Sequence, residues 1–315
     1  MNLLKNTFLS FASNRIGIEN LIHISGQHII FPFYHAVSDE YLPHISPLYK
    51  LKNIQSFRED IDFLLKHFQP ISIEDLYLHI QGEKKITKPS FHLSFDDGLQ
   101  EVHDIILPIL EQKGIPATVF VNSAFVDNAD LFYRYKASLI IDKNKSMKSK
   151  VLKIKYHERK LLNDLAQKLD IDFRDFLQKQ QPYLTTEQLK TLQTKGFTIG
   201  AHSIDHPFYA LLDEQEKIKQ TLESCKYVKT NFSEKRSCFS FPFSGEGVNH
   251  SFFSKVHNSV DFTFGISGID ISKNGKHIER IWMESDAKNT KDYIQKAYLS
   301  NILKNAFNKT KTKRA

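Results

Sequence analysis

Residues 89–98 read PSFHLSFDDG, and this stretch governs how the rest of the chain is interpreted. Its apolar and aromatic residues predict a strand that ends on two adjacent acids, Asp96 and Asp97. Side chains alternate between the two faces of a strand, but at its end the alternation relaxes and both acids can reach the mouth of a sheet. Gly98 then permits a tight turn. Taken alone, Asp-Asp-Gly also fits a simple turn that caps a helix.

Outward from this stretch, short apolar runs alternate with segments that carry apolar residues at helical spacing. Strands are predicted at 28–37, 68–73, 89–98, 116–125, 197–203, 238–243, 262–267 and 277–283. Helices are predicted at 56–68 with Ser56 as N-cap, from Ser72 or Glu74 onward, at 102–114 and at 212–232. This alternation predicts an α/β fold with a parallel sheet. About seven strands favour a distorted (β/α) barrel over an open doubly wound sheet.

The alternation is broken over residues 127–195, which are polar, Lys-rich and mostly helical in pattern. We interpret this stretch as a helical insertion between two barrel strands and not as a separate domain. The predicted organisation is then an N-terminal helical segment at 1–27, a main domain at 28–300 and a basic tail at 301–315.

The chain has 315 residues, with 43 Lys and Arg against 36 Asp and Glu, which gives a net charge of +7. Part of the excess lies in the Lys-rich runs 143–150 and 309–315, which fit solvated loops better than a nucleic-acid surface. Because the sequence holds no helix-turn-helix pattern, zinc-finger spacing or basic-aromatic motif, we predict no nucleic-acid partner.

The N-terminal residues lack the continuous apolar region of a signal peptide, and no run of about 18 apolar residues predicts a transmembrane helix. We therefore expect a cytoplasmic location. The two cysteines, Cys225 and Cys238, are compatible with a reducing compartment. One helical face near the N-terminus favours packing on the domain, with peripheral membrane contact as the alternative. That face comprises Leu3, Leu4, Phe8 and Phe11.

A second polar motif, GAHSIDHP at 200–207, follows another predicted strand. Two histidines with one carboxylate form a common ligand set for catalytic metals that keep open positions. His202 and His206 are four residues apart, a spacing that by itself is more often accidental. The carboxyl ends of barrel strands converge on one face, so this motif and the acids of 89–98 are expected at the same mouth.

In this combination the sequence resembles the polysaccharide deacetylase family, the NodB-homology group of carbohydrate esterases. SFDDG at 94–98 is similar to the first family motif, T-F-D-D-G, and HSIDHP at 202–207 to the second, H-[ST]-x-x-H-P. YHAVSD at 34–39 looks like the opening of many members. The resemblance covers about 28–283 and implies a NodB-like barrel.

At the matching positions the resemblance implies that Asp97, His202 and His206 bind a divalent metal. Zinc is the expected metal, and cobalt, nickel and iron also tolerate such ligands. Asp96 would be the catalytic base that activates the metal-bound water, and Ser203 would orient a ligand.

The third family motif is matched in part by Pro242 and Phe243, and the resemblance implies that the Phe243 backbone N–H stabilises an oxyanion. Ser240 stands where some members carry an arginine that pairs with the catalytic acid. Arg280 is a candidate substitute, and an ordinary surface arginine on an edge strand is the alternative.

The late family motif L-x-H, which supplies the general acid in many members, is not found, because His277 lacks the leucine. His35 is the better candidate for a pocket histidine, either as proton donor, as a substrate contact or as a satisfied core histidine. Trp282 is interpreted as part of a sugar platform or as a packing residue.

The predicted function is that of a metal-dependent hydrolase acting on carbon–nitrogen bonds other than peptide bonds. It would remove acetyl groups from N-acetylated sugars of a polysaccharide or glycan precursor, so an acetylated carbohydrate is the expected partner. An O-acetyl esterase and a catalytically impaired carbohydrate-binding protein on the same fold are the alternatives. A two-carboxylate glycoside hydrolase would leave the histidine pair without a task. The sequence makes no prediction of the oligomeric state.

Overall fold

The computed structural model describes residues 16–284 and 290–306. The strands in these ranges, numbered in chain order, are β1 Ile29–Ile30, β2 Pro32–Tyr34, β3 Gln69–Pro70, β4 Ser90–Phe91, β5 Leu93–Phe95, β6 Ala117–Val121, β7 Thr198–Ala201, β8 Cys238–Ser240, β9 Phe262–Gly265, β10 Asp270–Ile271, β11 His277–Glu279 and β12 Ile281–Trp282. The α-helices are α1 Ile18–Ser25, α2 Ile54–His67, α3 Ile73–Ile80, α4 Leu107–Gln112, α5 Tyr133–Lys143, α6 Lys148–Val151, α7 Leu161–Lys168, α8 Phe173–Gln180, α9 Thr186–Thr194, α10 Glu214–Phe232, α11 His250–Val256 and α12 Thr290–Ala306. A π-helical stretch, Val102–Ile106, leads directly into α4.

Parallel strands form the centre of the molecule, in the order β2-β5-β6-β7-β8-β9. The ring is completed by β11 and β12, which are separated by a single residue, Arg280. The first of them pairs in parallel with β9 and the second pairs in parallel with β2. Seven parallel strand positions therefore surround one interior, which confirms the predicted NodB-like, distorted (β/α) barrel. The short β10 adds an antiparallel edge to β11.

Two of the predicted strands are interrupted. The predicted strand at 28–37 is divided into β1 and β2 at Phe31, and that at 89–98 into β4 and β5 at His92. On the amino-terminal side of these breaks, β1, β4 and β3 pair as a separate three-stranded parallel sheet. The breaks let each chain segment change neighbours as the barrel twists.

The predicted start of α2 at Ser56 is wrong. Asn53 is the N-cap, since it has extended backbone angles and its side chain accepts the backbone N–H of Ser56 at 2.7 Å. Asparagine caps a helix as well as serine does, so the capping site moves three residues earlier. The predicted start of α3 is confirmed, because Ser72 and Asp75 form a reciprocal capping box.

The core is rich in phenylalanine, and burial accounts for much of the high Phe content. Strands β5 to β9 are buried on both faces, with one partly exposed position, as expected for a parallel barrel covered by helices. The phenylalanines that are at most 1% exposed are Phe57, Phe91, Phe95, Phe120, Phe239, Phe241, Phe252 and Phe264. Helices α2, α4, α9 and α10 contribute apolar residues to the main hydrophobic cluster.

Between β6 and β7 the chain forms helices α5 to α9, while β6 and β7 pair directly with each other. This helical region, residues 126–194, has its own hydrophobic cluster. The cluster centres on Phe132, Tyr135, Ile140, Val151, Leu162, Leu177 and Tyr183. The cluster also includes Ala36, Ile45 and Leu99 from outside the region, whereas α9 packs on the main cluster, so the region is joined to the barrel through shared apolar contacts.

The described residues contain no helix that is long and apolar enough to cross a membrane. The N-terminal face of Leu3, Leu4, Phe8 and Phe11 and the run 309–315 lie outside the described residues. The division of the chain at 27 and 300 and the cytoplasmic location stay predictions.

A candidate metal centre in an apolar cleft

The two polar motifs meet at the carboxyl ends of the barrel strands. Asp96 and Asp97 follow β5, and His202 follows β7. Asp97 and Gly98 both have left-handed backbone angles, with φ of 72° and 63°. A Cβ at position 98 would lie 2.9 Å from the Val121 side chain, so glycine is required there for space as well as for its φ. This turn places both acids at the mouth of the barrel.

Asp97, His202 and His206 form a buried cluster whose ligand atoms lie within 4.8 Å of one another. Oδ1 of Asp97 is 3.2 Å from Nε2 of His206 and 3.5 Å from Nε2 of His202. Within the described part of the chain, this oxygen has no hydrogen-bond partner. A buried carboxylate oxygen without a partner, facing two imidazole nitrogens, fits a divalent cation.

Hydrogen bonds orient the ring of His202 and hold the turn that carries His206. Nδ1 of His202 lies 2.9 Å from the carbonyl oxygen of Ser240, so Nδ1 carries the proton and Nε2 faces Asp97 with its lone pair. Burial lowers the pKa of His202 to about 4, which keeps the ring neutral. The hydroxyl of Ser203 accepts the backbone N–H of His206 at 3.0 Å and so holds the turn between the two histidines.

Arg280 pairs with Asp96 through two hydrogen bonds, from Nη1 to Oδ1 at 2.8 Å and from Nη2 to Oδ2 at 2.7 Å. The arginine is fully buried, so the alternative of a surface arginine is wrong. Burial opposes ionisation of Asp96, but the guanidinium outweighs this effect and lowers the pKa of the carboxyl. Ser240 accepts a further hydrogen bond from Arg280, at the position where some family members carry the arginine itself.

His35 follows β2 and faces the same cleft, with 23% of its side chain exposed. Its Nδ1 lies 2.5 Å from Oε2 of Glu284. Burial disfavours the charged imidazole, but the Glu284 carboxylate, with smaller effects of Asp97 and Asp96, outweighs burial and raises the pKa of His35 to about 9. The ring is therefore protonated at neutral pH and accessible from the cleft, unlike a satisfied core histidine. His277, by contrast, is buried against Thr263 and does not line this cleft.

The cleft has a volume of about 420 Å³ and a largely apolar lining. Phe243 and Trp282 are 39% and 41% exposed at its edge, so Trp282 is not a core packing residue. Phe243 has a φ of 58° and its ring lies 4.7 Å from that of His206. Pro242 is buried next to Phe243 and does not line the cleft. The remaining apolar lining includes Phe33, Leu48, Phe132, Leu152, Phe241 and Ile266.

Two residues of this centre have no signal in the sequence. Glu284 holds His35, and Tyr135 of helix α5 donates its hydroxyl proton to Oδ2 of Asp97 at 2.8 Å. Neither residue belongs to a motif, and each is far along the chain from the residue that it contacts. A tyrosine in a helical pattern is by itself a packing residue.

The sequence model of the family described as Polysaccharide deacetylase matches residues 83–262. The chain belongs to the polysaccharide deacetylase family. The match contains the Asp96-Asp97 pair and both histidines of the second motif. His35, Arg280 and Glu284 lie outside it, so in this polysaccharide deacetylase segments beyond the match supply His35 to the cleft and place Arg280 and Glu284 behind the residues that line it.

Solved deacetylases share the fold at low sequence identity. The Streptococcus pyogenes deacetylase PplD, solved with acetate, superposes with a TM-score of 0.60 at 15% identity over 85% of this chain and 97% of its own. IcaB from Ammonifex degensii gives 0.57 at 14% identity over 86% and 98%. A de-N-acetylase from Aggregatibacter actinomycetemcomitans gives 0.58 at 15% identity over 87% and 99%. These values establish a common fold.

Among curated proteins, Centrosomal protein of 112 kDa from Homo sapiens is 26% identical over 157 residues. The aligned part is 48% of this chain and 15% of that protein. Because the chain spans so small a part of that protein's length, the similarity carries no conclusion about function.

Proposed function

We propose that this polysaccharide deacetylase is a metal-dependent hydrolase that removes acetyl groups from N-acetylated sugars of a polysaccharide or glycan precursor. The observation that carries the proposal is the buried cluster of Asp97, His202 and His206, open to a cleft in which Asp96 is paired with Arg280. Amide hydrolysis needs a nucleophilic water, a base, a site for the oxyanion and a proton for the leaving amine. Each of these needs has a candidate residue in the cleft.

Asp97, His202 and His206 would hold the metal, with zinc as the expected ion and cobalt, nickel or iron as alternatives that suit the same ligands. A divalent metal in such a site lowers the pKa of water to roughly 7 and polarises a carbonyl group. The lone pair that neutral His202 directs at the cluster and the partnerless oxygen of Asp97 suit this role.

Asp96 would take the proton of the attacking water, because Arg280 keeps its carboxylate ionised in a buried position. The backbone N–H of Phe243 would donate to the oxyanion as the carbonyl carbon becomes tetrahedral. His35 would then give its proton to the departing amine, since Glu284 keeps its ring protonated near neutral pH. The exposed face of Trp282 would contact the sugar ring.

A catalytically impaired carbohydrate-binding protein is less well supported than an enzyme. That alternative depended on two missing motif residues, the arginine partner of the base and the histidine that serves as general acid. Arg280 and His35 occupy positions from which they can perform both tasks. No contact in the cleft distinguishes an amide from an acetyl ester, so O-acetyl esters belong in the same substrate panel.

The test is acetate release from N-acetylated chito-oligomers and from acetyl esters, with zinc, cobalt or nickel added. Asp96→Asn should lower the rate by roughly 10²–10⁴-fold, the usual contribution of a general base. His202→Ala should abolish both activity and stoichiometric metal binding. His103→Ala, which changes a histidine outside the cleft, is the control and should leave the rate unchanged.

Failure of the wild type to release acetate from any of these substrates would count against the proposal. If the reconstituted protein also lacked stoichiometric metal, the carbohydrate-binding alternative would replace it.

A further inference from the structure

We propose that Tyr135 is a positioning residue for the metal centre, through which the helical region 126–194 sets the affinity of the site for its metal. The inference rests on the proposed role of Asp97 as a metal ligand. It concerns a residue that the family motifs do not contain and that acts on the metal only through Asp97.

The two carboxylate oxygens of Asp97 lie in different environments. Oδ2 accepts the hydroxyl proton of Tyr135 at 2.8 Å, whereas Oδ1 faces the Nε2 atoms of His202 and His206. Among the described residues, Tyr135 is the one whose side chain donates a hydrogen bond to the Asp97 carboxylate. A carboxylate held by one oxygen presents the other as a single ligand in a fixed direction.

Tyr135 is itself held firmly by aromatic neighbours. Its ring is 1% exposed and contacts Phe132 edge-on at 5.1 Å, His44 edge-on at 5.2 Å and Tyr183 in a stacked arrangement at 6.3 Å. Because the ring cannot move freely, the hydroxyl is already placed before a metal binds. A hydrogen bond in such buried surroundings is also stronger than one in water.

The same helical region also contacts the second motif. The ring of Phe132 lies 4.3 Å from that of His206. The hydroxyl of Tyr156 contacts both oxygens of Asp205, between the two histidines, at 2.7 and 2.6 Å. The helical region therefore contacts both Asp97 and the second motif. Among these contacts, the hydrogen bond from Tyr135 is the one made to the carboxylate of a proposed metal ligand.

The test is the Kd for zinc alone, measured by competition with a chromophoric chelator, in Tyr135→Phe. Loss of an outer hydrogen bond to a metal ligand typically weakens metal binding 10–100-fold, and we expect a change in this range. Tyr183→Phe is the matched control, because Tyr183 is equally buried in the same aromatic cluster but its hydroxyl accepts the backbone N–H of Phe132. Its Kd should stay within about threefold of the wild type.

Cobalt provides a second readout. Without Tyr135 to hold it, Oδ2 is free to join Oδ1 on the ion, so the visible absorption of bound Co²⁺ should weaken in Tyr135→Phe and stay unchanged in Tyr183→Phe. An unchanged zinc Kd in Tyr135→Phe, or equal weakening in both variants, would overturn the inference. If the wild type bound none of zinc, cobalt, nickel and iron, the proposed function would fail too, whereas tight binding by Tyr135→Phe would contradict only the role of Tyr135.

Discussion

Glu284 organises one side of the cleft through four hydrogen bonds. Its Oε1 accepts the backbone N–H groups of His35 and Ala36 at 2.9 and 3.1 Å. Its Oε2 contacts Nδ1 of His35 and accepts the indole N–H of Trp282 at 3.0 Å. One carboxylate thus fixes the proposed proton donor and the exposed aromatic ring relative to each other.

The charge of Glu284 sets the pH range of the proposed proton donor. His35 has a raised pKa of about 9, so its proton is present below that pH and is lost as the pH rises through it. Glu284→Gln removes the charge and leaves burial, which lowers the pKa of the imidazole. Because the smaller effects of Asp97 and Asp96 remain, the alkaline limb of kcat/KM should move from near pH 9 to a pH that is lower by about 1–3 units.

A pH–rate profile of kcat/KM between pH 5 and pH 10 checks this expectation. Glu246→Gln, which changes an exposed glutamate, should keep the alkaline limb in place. A Glu284→Gln profile that coincides with that of the wild type would exclude His35 as the titrating acid.

At the level of single residues, the sequence predicted those site residues that lie close together in short motifs. Asp96, Asp97, His202 and His206 could be predicted because strand ends bring each short motif to the barrel mouth as a unit. Glu284 and Tyr135 could not, because their contacts with His35 and Asp97 depend on how distant segments pack. Arg280 is an intermediate case. The sequence analysis suggested it because Asp96 needs a cationic partner, and not because a contact between the two residues could be predicted.

The last two strands, β11 and β12, both complete the barrel and place Arg280 beside Asp96. β11 pairs with β9 and β12 pairs with β2, so Arg280 stands where the chain changes partner. Its side chain then crosses the barrel interior to Asp96, with the guanidinium 4.2 Å from the centre of the Phe33 ring. The strand that completes the barrel thereby also completes the environment of the proposed base.

Removing Arg280 should destabilise the protein as well as inactivate it. In Arg280→Met, Asp96 stays buried without its charged partner, and breaking such a pair usually costs about 3–5 kcal/mol in the free energy of unfolding. The double variant Arg280→Met with Asp96→Asn removes both charges and should recover much of this loss. Urea unfolding of both variants and the wild type measures the difference.

Equal unfolding free energies for the single and double variants would show that the pair contributes through packing and not through charge. Both variants should lack activity, since the single variant lacks the arginine that keeps the base ionised and the double variant lacks the base itself.

The elements themselves followed from sequence where periodicity was strong. The parallel strands and the long helix α10 were predicted close to their observed bounds, because buried strands and helix faces leave clear apolar patterns. The interruptions at Phe31 and His92 were not predicted. Phe31 directly precedes Pro32, whose missing N–H weakens strand pairing, so the first break had a local signal, whereas no glycine or proline stands beside His92. The N-cap at Asn53 was missed because Ser56 offered an equally good local pattern.

Over the whole molecule, the proposed metal ligands lie on the barrel and contact the helical region through Tyr135 and Phe132, so metal binding should stabilise both parts of the fold. Zinc at 100 times its Kd should add about 2.7 kcal/mol to the free energy of unfolding. Thermal unfolding with and without zinc tests this, and the midpoint should rise in the wild type but not in His202→Ala. A rise of equal size in both proteins would place the zinc elsewhere on the chain.

Because β11 and β12 complete the barrel from the late part of the chain, the topology also affects the order of steps in folding. His35 and Glu284 are 249 positions apart in the chain, and Asp96 and Arg280 are 184 apart. During synthesis on the ribosome, the acids and histidines of the cleft are made well before the strands that hold their partners. Long-range contacts of this kind form slowly, and until they form the edges of β2 and β9 stay open to other chains. Recovery of activity after refolding should therefore trail the recovery of helix content, and the nascent protein needs protection from aggregation until its last strands arrive.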